Sequence, residues 1–183
     1  MSRIQTPSSI DAAPAAARPL LDAVQQKLGS VPNMFRLVSA SPATLEGYLG
    51  LSGALAAGQL SPAAREGIAL VLANINGCTY CNSAHGYIAK NLIKMDDQEI
   101  DANRDATSSD PKTDAILKLA RKIASNRGQV EQADLDAARA AGATDTELVE
   151  VVGNVALNVL TNYINEVFKT DVDFPLAEAK KAA

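Results

Sequence analysis

The chain of 183 residues has no tryptophan, and its aromatic residues amount to only 4%. A core without large rings must be built from Ala, Leu, Ile and Val, which suits closely packed helices. There is no apolar run of about 18 residues, so no membrane-spanning helix is expected. No excess of basic residues exists either: 17 Lys and Arg stand against 21 Asp and Glu, a net charge of −4. That balance leaves no broad cationic face for nucleic acid. The N-terminus lacks the charged, apolar, small-residue order of a secretory signal, so the expected location is the cytoplasm. Alternating apolar and polar residues, the mark of a half-buried strand, are missing as well, and the expected fold is all-α.

The scarcest reactive groups lie together. The two cysteines and the single histidine all fall in the window Asn76-Gly77-Cys78-Thr79-Tyr80-Cys81-Asn82-Ser83-Ala84-His85. On a helix, positions three and four apart share a face. Cys78 and Cys81 could therefore meet in a short disulfide loop, and His85 could reach Cys81 directly or through a water. Asn76-Gly77 is a stop signal for a preceding helix, so a new helix should begin near Cys78. Its unpaired N–H groups and dipole would favour a thiolate there. In a reducing compartment a C-x-x-C is redox or metal chemistry more often than a staple. A closed zinc site needs four ligands, and two cysteines and one histidine would need a carboxylate or water to complete it.

The remainder reads as one domain, with an apolar content of 47% that argues against disorder. Residues 1–19 carry Pro7, Pro14 and Pro19 and form an extended arm laid over a surface. Helices are expected from Arg18 to Leu28, from Pro32 through Val38, and from Pro42 to just before Gly58. The helix opened by Ser61-Pro62 runs to the Asn76-Gly77 break, and the motif helix follows to Leu92. With residue 60 as its start, the segment 60–92 holds the core motif helices. A short helix is expected near 96–103, another from Pro111 to Gly128, and another from Glu131 to Ala141. Thr144 with Glu147 makes a capping box for the longest helix, which ends near Lys169. Residues 176–183 are expected as a flexible tail.

Several side chains admit two readings. Glu66, by spacing alone, is an exposed glutamate favoured by the dipole of its own helix. With that helix folded back along the motif helix, it could instead hydrogen-bond His85. Tyr80 could wall a pocket, donate a hydrogen bond or simply pack. Asn158, Asn162 and Asn165 make a polar stripe on a helix otherwise carrying Val155, Leu160 and Ile164. Buried amides need partners, so subunit contact or helix–helix bonding is expected of them before catalysis.

From Glu66 to His85 the sequence resembles the alkylhydroperoxidase AhpD-like branch of the carboxymuconolactone decarboxylase family: a glutamate, then Asn-x-Cys-x-x-Cys-x-x-x-His at matching distance. Val31-Pro32-Asn33-Met34-Phe35, Leu157 to Tyr163, and Val172-Asp173-Phe174-Pro175 are similar to its peroxidase-related subgroup. The resemblance implies an AhpD-like helical bundle that assembles as a trimer or hexamer. It also implies reduction of a hydroperoxide by the thiol pair, with no metal and no cofactor such as haem or flavin. Cys81 would be the peroxidatic thiol, Cys78 the resolving thiol and proton donor, and His85 with Glu66 the proton relay. This makes Glu66 a site residue rather than a surface one. A thiol or dithiol reductant is implied as partner. Well-known members have a histidine where this chain has Tyr80, so one relay element is replaced. A decarboxylase-type lyase, the activity in the family name, is an alternative, although such members generally lack the paired cysteines. A redox-sensing or disulfide-relay protein is another.

Overall fold

A computed structural model describes residues 2–180. Among them are nine α-helices and no strand. They are α1 (Arg18–Leu28), α2 (Asn33–Val38), α3 (Pro42–Ala56), α4 (Pro62–Ile75), α5 (Thr79–Ile88), α6 (Asp97–Arg104), α7 (Pro111–Ser125), α8 (Gln132–Ala140) and α9 (Asp145–Phe168).

The helix starts follow from short-range chemistry. Ser41 and Ser61 each accept a backbone N–H three residues on, at 3.3 and 3.1 Å, with proline in the next position. Asp110 accepts from Thr113 at 2.8 Å. Thr144 and Glu147 exchange side-chain-to-backbone bonds of 3.2 and 2.8 Å, a capping box that satisfies two otherwise orphaned donors. The motif helix departs from expectation at its far end. Regular α-helix stops at Ile88, and Ala89–Ile93 form a π turn closed by Lys94 with φ 66°.

Helix α4 is the axle. Ala64 and the run Gly67 to Ala73 are all buried, so it is apolar on every side, the mark of a helix with neighbours all around it. It packs against α5, α6, α7 and α9. Gly67 permits the closest of these approaches: a Cβ there would lie 2.7 Å from Asn103 Oδ1 and 2.9 Å from a Leu117 methyl. Ile68, Val71 and Leu72 join Leu117, Val151 and Val155 in one apolar cluster. A second cluster holds Leu21, Leu37, Leu45, Ala73, Tyr80 and both cysteines.

The chain ends lie against this body. Arg3 N–H donates to Phe168 C=O at 2.7 Å, and the arm then turns inward, burying Ala13 and Ala17. Residues 171–180 form a strap. Ala177 N–H donates to Ser83 Oγ at 2.9 Å, and Lys180 N–H to Asn74 Oδ1 at 2.7 Å. Of the tail expected over 176–183, residues 181–183 lie outside the described residues.

Helix α9 has an inverted polarity. Its inward face carries Asn154, Asn158, Thr161, Asn162 and Asn165, all buried. From Val149 to Val167 its exposed positions are Val149, Val152, Ala156, Leu160, Tyr163 and Val167, none of them charged. Leu160 therefore belongs to the outer face and not, as its spacing suggested, to the lining of the asparagine stripe.

Candidate functional site

The turn between α4 and α5 sets the sulfurs in place. Gly77 adopts φ 64°, a left-handed conformation that costs a residue with a Cβ about 1–2 kcal/mol. Gly77 N–H bonds Asn74 C=O at 3.1 Å and Cys78 N–H bonds Ala73 C=O at 2.9 Å, the paired bonds of a Schellman stop. The residue that completes this stop, Cys78, also caps the next helix: its Sγ accepts the N–H of Cys81 at 3.2 Å. The C-x-x-C thus stands at the start of a helix, with Cys78 as the cap and not the first helical residue.

Both thiols are reduced and buried, Cys78 at 0% and Cys81 at 2% exposure. They stand one helical turn apart and act on each other unequally. The Cys78 thiol is the largest influence on Cys81 and pulls its pKa down to about 7, against the opposing effect of burial. His85 and the side-chain amide of Asn165 lower it further. The same interaction with Cys81, together with burial, pushes Cys78 up. The helix start alone led to a thiolate near Cys78. The charge is favoured on Cys81 instead, because Cys78, the His85 charge and the Asn165 amide all act to lower its pKa.

Glu66 and His85 meet across α4 and α5. His85 Nδ1 lies 2.7 Å from Glu66 Oε1. Their side chains are 22% and 12% exposed, so the exposed reading of Glu66 does not hold. Burial by itself would depress His85, but the Glu66 carboxylate outweighs it through charge and hydrogen bond, and the Cys81 sulfur adds to this, so its pKa is raised. All four expected site residues thus lie in one neighbourhood, although His85 acts on Cys81 through space and not by a direct hydrogen bond. Among the described residues no three His, Cys, Asp or Glu side chains are grouped to hold a metal.

The Tyr80 hydroxyl bonds neither thiol. It donates to Asp173 Oδ1 at 2.9 Å and accepts Met34 N–H at 3.1 Å. Burial pushes its pKa upward. The residue in the place of the histidine of well-known family members is therefore a latch: Asp173 Oδ2 also accepts Asn33 N–H at 2.8 Å, and Phe174 packs edge-on against Tyr80 at 5.8 Å.

The asparagine stripe of α9 reaches the motif, beyond the helix–helix bonding expected of it. Asn165 Nδ2 donates to Cys81 Sγ at 3.2 Å. Asn162 Oδ1 accepts from Asn76 Nδ2 at 2.8 Å, in the turn before the motif. Asn158 makes an ordinary intrahelical bond, to Asn154 C=O at 2.8 Å, as Asn154 does to Glu150 C=O at 2.8 Å. Asn165 lies 84 residues beyond Cys81 in the chain, so no local spacing could connect the two.

A cavity of about 450 Å³ opens over the site. Cys81, Glu66, His85 and Asn165 line it together with Leu49, Leu55, Tyr48, Phe35, Met34, Ile88 and Phe174. Its wall is largely apolar, and Cys81, not Cys78, is the sulfur that faces it.

Residues 42–124 match the profile of the Carboxymuconolactone decarboxylase family. The structure is similar to the alkylhydroperoxidase AhpD core of an uncharacterized peroxidase-related protein from Ralstonia eutropha JMP134, at 27% identity and a TM-score of 0.83, over 94% of this chain and 92% of that one. An uncharacterized peroxidase-related protein from Silicibacter sp. TM1040 matches at 24% identity and a TM-score of 0.80, over 93% and 91%. A variant of the debrominase Bmp8 in complex with 2,3,4-tribromopyrrole matches at 19% and 0.76, over 94% of both chains. These last two speak for the fold alone. No curated protein matches the sequence.

Proposed function

We propose that this chain, an AhpD-like protein of the carboxymuconolactone decarboxylase family, is a thiol-dependent peroxidase acting on organic hydroperoxides. The observation that carries this is the unequal thiol pair. Cys81 is held near its thiolate at the floor of an apolar cavity, beside a Glu66–His85 pair and within bonding reach of a second thiol.

The chemistry then balances. The Cys81 thiolate attacks the terminal oxygen of the hydroperoxide. A sulfur–oxygen bond forms, the O–O bond breaks, and its electron pair leaves on the alkoxide. His85, kept protonated by Glu66, supplies the proton that releases an alcohol. Cys81 is left as a sulfenic acid. The Cys78 sulfur attacks it, a disulfide forms, and water departs with the Cys78 proton. An external dithiol reduces the disulfide and is itself oxidised. Both sulfurs are almost fully buried, so this reductant must be small or borne on a slender arm that enters the cavity. The apolar wall favours a bulky organic hydroperoxide over hydrogen peroxide.

Mass spectrometry after one equivalent of an organic hydroperoxide tests this. The reduced protein is expected to lose two hydrogens as the disulfide forms. Cys78→Ser should stop at one added oxygen, trapped by a sulfenic-acid reagent. Cys81→Ser should remain unchanged. Full peroxide turnover by Cys81→Ser would overturn the assignment.

A homo-oligomer is part of the same reading. The uncharged outer stripe of α9 repeats at spacings of three and four, as helix seams do. Two copies packed antiparallel along it would bury no unpaired charge, and each acidic start at Asp145 would lie beside a partner's Lys169. Opposed helix dipoles add to this fit.

A further inference from the structure

We propose that Asn165 is a catalytic residue, whose side-chain amide reaches from α9 to hold negative charge on the Cys81 sulfur, with Asn162, oriented by Asn76, supporting it.

The case rests on how these amides are satisfied. Asn165 is 2% exposed, and its Nδ2 lies 3.2 Å from Cys81 Sγ. Its Oδ1 is buried without a hydrogen-bond partner. A structural asparagine in a helix interface would tie both ends of the amide, since an unsatisfied buried carbonyl costs about 1–3 kcal/mol. This one makes a single bond, and that bond is to the reactive sulfur. Sulfur in a neutral thiol is a weak acceptor, whereas a thiolate is a strong one, so the contact is worth most in the charged state.

Asn162 is arranged by a relay. Its Oδ1 is committed to Asn76 Nδ2 at 2.8 Å, which turns its own Nδ2 away from that turn. That Nδ2 is buried without a hydrogen-bond partner, and the Asn162 side chain favours the Cys81 thiolate. Asn76 thereby gains a positioning role beyond ending α4. The stabilising group is a neutral amide. It stabilises charge on Cys81 without supplying a proton that the attack would have to remove, which a cation such as lysine could do.

Other groups also face this sulfur: Cys78, Tyr80 and His85 at and along α5, and Tyr48 on α3, while Glu66 on α4 acts on His85 and Tyr48, and Glu166 on α9 acts on Cys78. None of them is altered by changes at Asn165. The inference takes from the peroxidase reading only that Cys81 is the nucleophile, and its test needs no peroxide.

The test is the pH dependence of Cys81 alkylation by iodoacetamide in the whole reduced protein, with the site read by peptide mass. Asn165→Leu keeps the volume and removes the donor. It is expected to raise the midpoint by about one unit, equivalent to about tenfold slower alkylation well below it. Asn165→Ala and Asn162→Ala should move it in the same direction, the latter less, and they decide the matter if the leucine variant fails to fold. Asn165→Gln, which retains an amide, should stay close to the native midpoint. A midpoint unchanged in the folded Leu and Ala variants, even with a lower melting temperature, overturns the proposal. So does an equal rise in the Gln variant, which would mark packing rather than donation. Failure of the peroxidase reading shows elsewhere, as absence of a peroxide-induced disulfide in the native protein.

Discussion

At the scale of the residue, the site is a problem of where one negative charge rests. Cys78 sits at the helix start, where the backbone field alone favours an anion. Side-chain donors override that field because they bond the sulfur of Cys81 directly. With the Cys81 pKa lowered to about 7, the thiolate fraction grows as pH rises through that value and shrinks below it. Peroxide-driven disulfide formation should therefore speed up between about pH 6 and 8, a rise checked by stopped-flow at several pH values. Glu66→Gln removes the carboxylate that keeps His85 protonated. The His85 pKa should then fall, and with it both the favourable charge beside Cys81 and the proton for the leaving alkoxide. A loss of about 10²-fold in kcat/KM is expected, the lower range for a positioned acid–base group. A loss below threefold would remove the pair from the mechanism.

Two linkers hold the site at the scale of the element. The three residues Asn76 to Cys78 finish α4 and begin α5, and only Gly77 bears a positive φ there. No atom lies within 4 Å of a Cβ built on Gly77, so Gly77→Ala acts through backbone strain alone. We expect a cost of about 1–2 kcal/mol, readable in denaturant melts, and a slower reaction of Cys81 as its approach to Asn165 loosens. The strap is the second linker. Tyr80→Phe would leave Met34 N–H and one Asp173 oxygen without their partner in a buried place, at a cost of about 1–3 kcal/mol. Because the Tyr80 hydroxyl touches neither sulfur, the Cys81 alkylation midpoint should remain in place. A large shift in that midpoint would instead show that Tyr80 acts on the Cys81 charge.

The whole molecule is organised by α4, which is buried on every side, and by α9, which is polar inward and apolar outward. The inward polarity is explained by the site. We propose that a second copy covers the outward face, since Val149 at 72% exposure and Tyr163 at 57% are otherwise large apolar groups left in water along about 27 Å of helix. Val152→Glu combined with Tyr163→Glu should dissociate the assembly, as read by analytical ultracentrifugation, while the circular dichroism spectrum stays helical. A native protein that sediments as a monomer at micromolar concentration would overturn this reading.

The sequence determined what depends on neighbours along the chain. Serine–proline starts, the Thr144–Glu147 box and the Asn76-Gly77 stop each act over three or four residues, so the helices they bound and the all-α class were legible from them. The gathering of both cysteines and the lone histidine into one window marked the reactive centre in the same way. Only the tertiary structure decided which sulfur bears the charge, that Glu66 is buried against His85, that Tyr80 latches the strap, and that asparagines on α9 face the thiol. Each of these turns on desolvation and on donors brought from distant segments. Residue spacing records which groups share a helix face, but not what packs against that face.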